Sequence, residues 1–219
     1  MKKANQIIMA NSKEHILKTI QAALKDNRLD IPFPEVENKT NFFSEDDMSL
    51  EECFATEFTN LGGKFIYCSN KDEMMKQLQT LSHNLNWNRI STKDQAILEL
   101  FENKNIPLVQ YTDDLHKMEI GISSCECLIA RTGSVLLSSA QEAGRSLPVY
   151  APIHITIAYS KDLVWNISDA FSRLKEKYKN DIPSMISLAT GPSRTADIEK
   201  TLVVGVHGPK EVYVFLIDE

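Results

Sequence analysis

The chain has 219 residues, 42% of them hydrophobic, and a formal net charge of −6. That length and composition suit one large domain or two small ones with a sizeable core. The acidic balance argues against the Lys- and Arg-rich footprint of a nucleic-acid binder, and no run approaches the roughly 18 apolar residues of a membrane helix.

The N-terminus, MKKANQIIMANSKEH, ends its apolar run at Ala10 and lacks a signal-peptide core, so a cytoplasmic protein is expected. Ser12 is placed to cap a helix that carries Ile16, Ile20, Ala23 and Leu24 on one face. Residues 30–49 contain prolines, are acidic and show no period, which reads as a connecting loop with Phe side chains to pin it to a core. Residues 1–49 thus form a helical arm and loop, and residues 50–219 form the domain proper.

A helix is expected over about 50–60, ending at Gly62-Gly63, then a strand at 64–68 (KFIYC) and a helix from Asp72 to about Leu81. Residues 89–105 read as a short strand followed by a helix with Ile97, Leu98 and Phe101, and Pro107-Leu108-Val109 as another short strand. Such alternation of strand and helix predicts an α/β fold with a parallel or mixed sheet and helices on both faces.

The stretch 119–139 (EIGISSCECLIARTGSVLLSS) is rich in strand formers and has no helical period. Arg131-Thr132-Gly133 is a turn between two adjacent strands, because glycine accepts positive φ without steric cost. A strand at 154–158 (HITIA) follows, then a helix with Ile167, Phe171, Leu174 and Tyr178 whose Lys-rich end suits the helix dipole. Residues 184–190 (SMISLAT) read as a buried strand and 211–217 (EVYVFLI) as the last one. No internal repeat or low-complexity segment is present.

Three constellations carry candidate chemistry. After 184–190 the chain breaks at Gly191-Pro192, presents Ser193, Arg194 and Thr195, and then reads as helical. A glycine turn before a helix N-terminus offers free N–H groups to an anion, with Arg194 as a clamp and two hydroxyls as donors. Plain capping, with Arg194 paired to Asp197 or Glu199, explains the same residues equally well. Glu126 is the second. On a regular strand over 119–130 it shares a face with Ile120, Ile122 and Leu128, where an unpaired carboxylate has a raised pKa and serves as acid, base or nucleophile. A bulge that turns it to water is the slightly favoured alternative. The third is Arg145, in a Gly144-Arg145 loop leading to His154, with His207 in a turn between Gly205 and Gly208. Ligands of parallel sheets gather at the carboxyl ends of strands, where the loops 131–133 and 190–195, with Thr132, Gly133, Gly191 and Ser193, are expected to meet.

The four cysteines, Cys53, Cys68, Cys125 and Cys127, form no paired Cys-x-x-Cys pattern, and they read as packed thiols of a reduced protein. There is no dinucleotide-binding glycine fingerprint, phosphate loop or His-Glu-x-x-His. No metal site and no cofactor of its own are expected. If the chain serves redox chemistry, it does not carry the electrons itself.

The runs GISSCECLIARTGSVLLSS, GRSLPVYAPIHITIA, ISDAFSRL and TGPSRTADIEKTLVVGVHGPKEVYVFLI together resemble the LUD-domain family, the lactate-utilisation protein C group. The likeness covers about 50–219 and is strongest over 119–219. It implies a three-layer αβα sandwich with a mainly parallel sheet, similar to the NagB/RpiA/CoA-transferase group. It also implies a part in oxidising L-lactate to pyruvate beside iron–sulfur partner proteins, whose clusters would carry the electrons. Relatives in that larger group bind anionic small molecules, and some use a glutamate nucleophile, which is analogy of fold. Arg131 stands where the family usually has an acid before Thr-Gly, and Thr190 replaces a common serine. The favoured expectation is an accessory subunit of a lactate-oxidation complex with a small anion at 190–195. The alternatives are a stand-alone enzyme or a ligand sensor for a phosphorylated, CoA-linked or carboxylated molecule. Association with a second copy stays open.

Overall fold

The computed structural model describes residues 13–23, 25, 48–102, 106–108, 117–196, 202–205 and 207–219, without the side chains of 195, 196, 202 and 203. Two compact units are separable, Met1–Glu45 and Asp46–Glu219. In the first, helix α1 occupies residues 13–23. Ser12, Leu24, the phenylalanines expected to lie in a loop over 30–49 and Val109 lie outside the described residues.

The second unit is built on five parallel strands in the order β1 (Lys64–Cys68), β11 (Glu211–Ile217), β6 (Ile153–Tyr159), β3 (Ile120–Ser123), β2 (Ile90–Ser91). Strand β11 lies inside the sheet, between β1 and β6, and VYVFLI, apolar at every position, is buried on both faces. Tyr213, Phe215 and Ile217 point one way, into a cluster with Met74 and Leu78 of α3 (Lys71–Asn84) and Ile97 and Phe101 of α4 (Gln95–Phe101). Val212, Val214 and Leu216 point the other way, onto Phe54 and Phe58 of α2 (Leu50–Asn60). Ser49 caps α2 in a reciprocal box with Glu52, and the four-residue spacing of Phe54 and Phe58 puts both rings inward. Each buried ring contributes about 2 kcal/mol. Leu108 adds a parallel bridge to Ile90.

The face that α2 covers is shared with a second sheet, in the order β7 (Leu163–Val164), β4 (Cys127–Ile129), β5 (Ser134–Ser138), β8 (Ile186–Ala189). Helix α6 (Ile167–Tyr178) backs that sheet through Ala170 and Leu174, which meet Cys127, Ile129 and Leu136. Phe171 is exposed instead. A short helix, α5 (Leu147–Tyr150), lays Leu147 over Gly121 of β3.

Three expectations change. Residues 119–130 are not one strand: the chain leaves the parallel sheet after Ser123, where the Asp94 carboxylate accepts from the Ser124 N–H and hydroxyl, and enters the second sheet. Within residues 184–190 the strand is β8, Ile186–Ala189, a half-exposed edge strand and not a buried one, which pairs with β5 alone among the described strands. At Arg194–Ala196 the chain is a strand and not a helix start, and residues 197–201 lie outside the described residues. Strand β9 (Arg194–Ala196) pairs antiparallel with β10 (Leu202–Val204). The β-branched Thr195, Val203 and Val204 favour this ribbon, and the bonds Ser193 N–H to Pro209 C=O and Gly205 N–H to Ser193 C=O close its base.

Candidate functional site

With a strand in place of a helix at Arg194, the helix-dipole argument for an anion at that point falls away. What replaces it is a cleft of about 420 Å³ at the end of the parallel sheet where the strands begin. Strand β8 leads into it through Thr190. Gly191, at φ +77°, turns so close to α2 that a Cβ would stand 2.9 Å from the Leu61 carbonyl oxygen, a contact and a backbone angle that only glycine tolerates. Ser193 is held by its N–H on Pro209, two residues before β11. These anchors put the site at the amino ends of β1 and β11, not at the carboxyl ends.

The cleft gathers Arg145, Gly191, Ser193, Arg194 and His207 in one wall with Thr190. Arg194 Nη2 donates to the Leu61 carbonyl at 2.5 Å, and Arg145 Nη2 donates to Ser184 Oγ at 2.5 Å. Each bond uses one of the five N–H groups of a guanidinium, and the rest of the fork remains for a ligand. Leu137, Met185 and Leu188 supply an apolar side. No Asp or Glu is among the described lining residues, although the chain as a whole carries −6. Two guanidinium groups without a carboxylate between them are suited to carboxylate or phosphate.

Other candidates lie apart. Thr132 and Gly133 stand next to the cleft. Thr132 Oγ1 and Ser134 Oγ are 2.8 Å apart, and Ser134 Oγ is 2.8 Å from Thr190 Oγ1, so a chain of hydroxyls joins the two loops. Gly133 abuts α2, where a Cβ would lie 2.4 Å from the Phe58 backbone nitrogen. Thr195 is placed by its backbone pairing with Val203. Arg131 donates through Nε and Nη2 to Asn166 Oδ1, at 3.2 and 3.0 Å, and so ties the central turn to the cap of α6.

His154 is buried in the parallel sheet beside Ser123, with Nε2 2.8 Å from Ser123 Oγ. Burial pushes its pKa down to about 4, so the ring is neutral at neutral pH and sealed from solvent.

Glu126 reverses the expectation placed on it. It is buried, not turned to water, but it is not unpaired. Ser138 Oγ donates to Oε1 at 2.6 Å, Tyr178 OH to Oε1 at 2.7 Å and Lys177 Nζ to Oε2 at 2.8 Å. Burial pushes the pKa up, but the hydrogen bonds from Lys177, Ser138 and Tyr178 with the lysine charge bring it below the ordinary carboxylate value. A carboxylate with three donors on it is a structural acceptor joining α6 to the second sheet, and is ill suited to nucleophilic attack. Periodicity could not reveal this, because all three donors are more than ten residues away in sequence. Asp94 and Ser124 carry no local signal in the sequence either, because only the meeting of β2 and β3 brings them together.

None of the four cysteines is in a disulfide; Cys53, Cys68 and Cys127 are buried and Cys125 is half-buried. No group of three or more His, Cys, Asp or Glu that could hold a metal occurs among the described residues. No described helix is long and apolar enough to cross a membrane.

Comparison with known proteins supports the architecture. The chain is an α/β protein with a mainly parallel central sheet, and its fold is shared with a DUF162 family protein from Deinococcus radiodurans. The two superpose with a TM-score of 0.56 at 16% identity, over 78% of this chain and 99% of the other. At that identity the likeness concerns fold alone. A family model for the LUD domain matches residues 50–217, and the chain belongs to that family. It is 36% identical over 104 residues to lactate utilization protein C of Oceanobacillus iheyensis, a match covering 47% of this chain and 45% of that protein. It is 39% identical over 102 residues to the protein of the same name from Bacillus licheniformis, over 45% and 42% of the two chains. The chain thus spans about half the length of the curated relatives it matches.

Proposed function

We propose that this chain serves lactate utilisation, as a component of a system that oxidises L-lactate to pyruvate beside iron–sulfur partner proteins, and that its amino-end cleft binds a small anion in that work. The names of its relatives motivate the lactate assignment. The observation that carries the anion site is the meeting of Arg145 and Arg194 in a cleft with no described carboxylate in its lining. Lactate and pyruvate are carboxylates, and a guanidinium fork matches a carboxylate in two parallel bonds. In this arrangement Arg194 and Arg145 hold the anion, while Gly191 lets the backbone of the turn come close to it. The electrons pass through the partners.

The test is calorimetric titration of L-lactate, pyruvate and inorganic phosphate into the full chain and into Arg194→Ala and Arg145→Ala. At least one anion is expected to bind, and each substitution is expected to weaken it about tenfold or more while thermal unfolding stays cooperative. Equal binding by parent and both variants would remove the site. The partner assignment is checked separately, by affinity capture from cells grown with and without lactate. Recovery of the chain alone under both conditions counts against it.

A further inference from the structure

The cleft is much larger than lactate. Its volume of about 420 Å³ falls in the range that encloses drug-sized molecules, roughly 300–1,000 Å³. It also continues. A second cavity of about 290 Å³ shares Val149, His207 and Gly208 with it, and adds Tyr150 and Lys210. No Asp or Glu is among the described residues of this extension either. The groove therefore has two ends of different chemistry. One holds Arg145 and Arg194. The other presents the ring of Tyr150, 57% exposed, while Val149, 45% exposed, lines both cavities. Large exposed side chains of this kind on a cavity wall gain from an apolar or flat group laid against them. Lys210 adds a positive charge at the Tyr150 end, its stem folded over Gly205, where a Cβ would stand 2.1 Å from the lysine Cγ.

A small carboxylate satisfies only the arginine end. We infer that the occupant of the groove is a nucleotide, with its phosphate on Arg194 and Arg145 and its flat ring against Tyr150. This rests on the anion-binding reading of the cleft and names the class of anion. The combination of a phosphate clamp with an aromatic platform is what such a molecule requires, since every base has a π-face and stacking on an aromatic side chain is tolerant of base identity. The distinction from lactate is one of size and of the second, aromatic end.

The experiment titrates the full chain with AMP and FMN, two phosphate monoesters with different flat rings, and with adenosine, riboflavin, inorganic phosphate and L-lactate. One of the two nucleotides is expected to bind at least tenfold tighter than phosphate and than its own nucleoside. Tyr150→Ala should lower nucleotide affinity to that of phosphate and leave phosphate binding as it was, while Tyr150→Phe should retain the parent affinity because the ring remains. Arg194→Ala should weaken nucleotide and phosphate alike. If lactate or phosphate binds in an Arg194-dependent way and neither nucleotide is tighter, the nucleotide assignment is overturned and the anion cleft stands. If no anion binds at all, both readings fall together.

Discussion

Lys177 Nζ stands 2.8 Å from Glu126 Oε2, and the two ends of this pair differ in their surroundings: the lysine side chain is 55% exposed, the glutamate 1%. The lysine reaches from α6 to a carboxylate just before β4 that also accepts from Ser138 and Tyr178. One residue thus joins helix, hairpin and strand.

Replacing Glu126 with Ala leaves a buried Ser138 hydroxyl and the Tyr178 hydroxyl without their acceptor. The half-exposed lysine regains water, so the loss is smaller than for a fully buried pair, about 2 kcal/mol. Chemical denaturation of Glu126→Ala against the parent measures it. The folded pKa of Glu126 is lowered. The contribution is therefore fully present above the ordinary carboxylate value and is lost as pH falls through the lower folded value. The difference between parent and variant should shrink on acidification, and an unchanged difference would mean that the pair does not act through ionisation.

His154 predicts a further pH effect of different origin. Burial lowers its pKa from the ordinary 6.5 to about 4. Between those values the unfolded chain binds a proton that the folded chain refuses, so stability falls as pH drops from 6.5 towards 4, by on the order of 3 kcal/mol from this group. His154→Gln removes the titrating ring. Its stability should follow pH less steeply than the parent's over that window, whatever its absolute level. Parallel curves would show that the histidine is not held neutral.

Gly133 and Gly144 both have positive φ, +55° and +62°, but differ in what surrounds them. A Cβ at 133 meets the backbone of Glu57 and Phe58 at 2.4–2.6 Å, whereas one at 144 meets nothing within 4 Å. Gly144→Ala therefore has only the strained backbone to bear and should cost about 1 kcal/mol. Gly133→Ala must also push α2 off the second sheet, and should cost about 3 kcal/mol or more. Thermal unfolding of the two variants side by side decides it. Equal losses would mean that α2 does not pack on the turn as closely as described.

The α/β class, the helices over about 50–60 and from Ile167 to Tyr178, and the strands at 64–68, 154–158 and 211–217 are legible in the sequence, because each depends on local spacing. The Ser49–Glu52 cap and the Phe54–Phe58 pair emerge with the structure. The residues Arg145, Gly191, Ser193, Arg194 and His207 are legible as candidates for one ligand site, but the sequence places that site at the carboxyl ends of the strands. Their common wall, and its place at the amino ends of the strands, come from the return of β8 to Leu61 and of Ser193 to Pro209. The ribbon at Arg194–Ala196 resembles a helix start in the sequence, because Gly-Pro followed by Ser-Arg-Thr looks like a cap when the partner strand at Leu202–Val204 is not considered. Glu126 is illegible for the same reason: its donors sit on β5 and α6, far away in sequence. Local pattern thus determined which segments are helix or strand and which residues are chemically equipped. Tertiary structure alone decided which of those residues are paired off and which face a common cleft, since the pairing of charges and hydroxyls is set by distances in space, and those distances are made by contacts far apart along the chain.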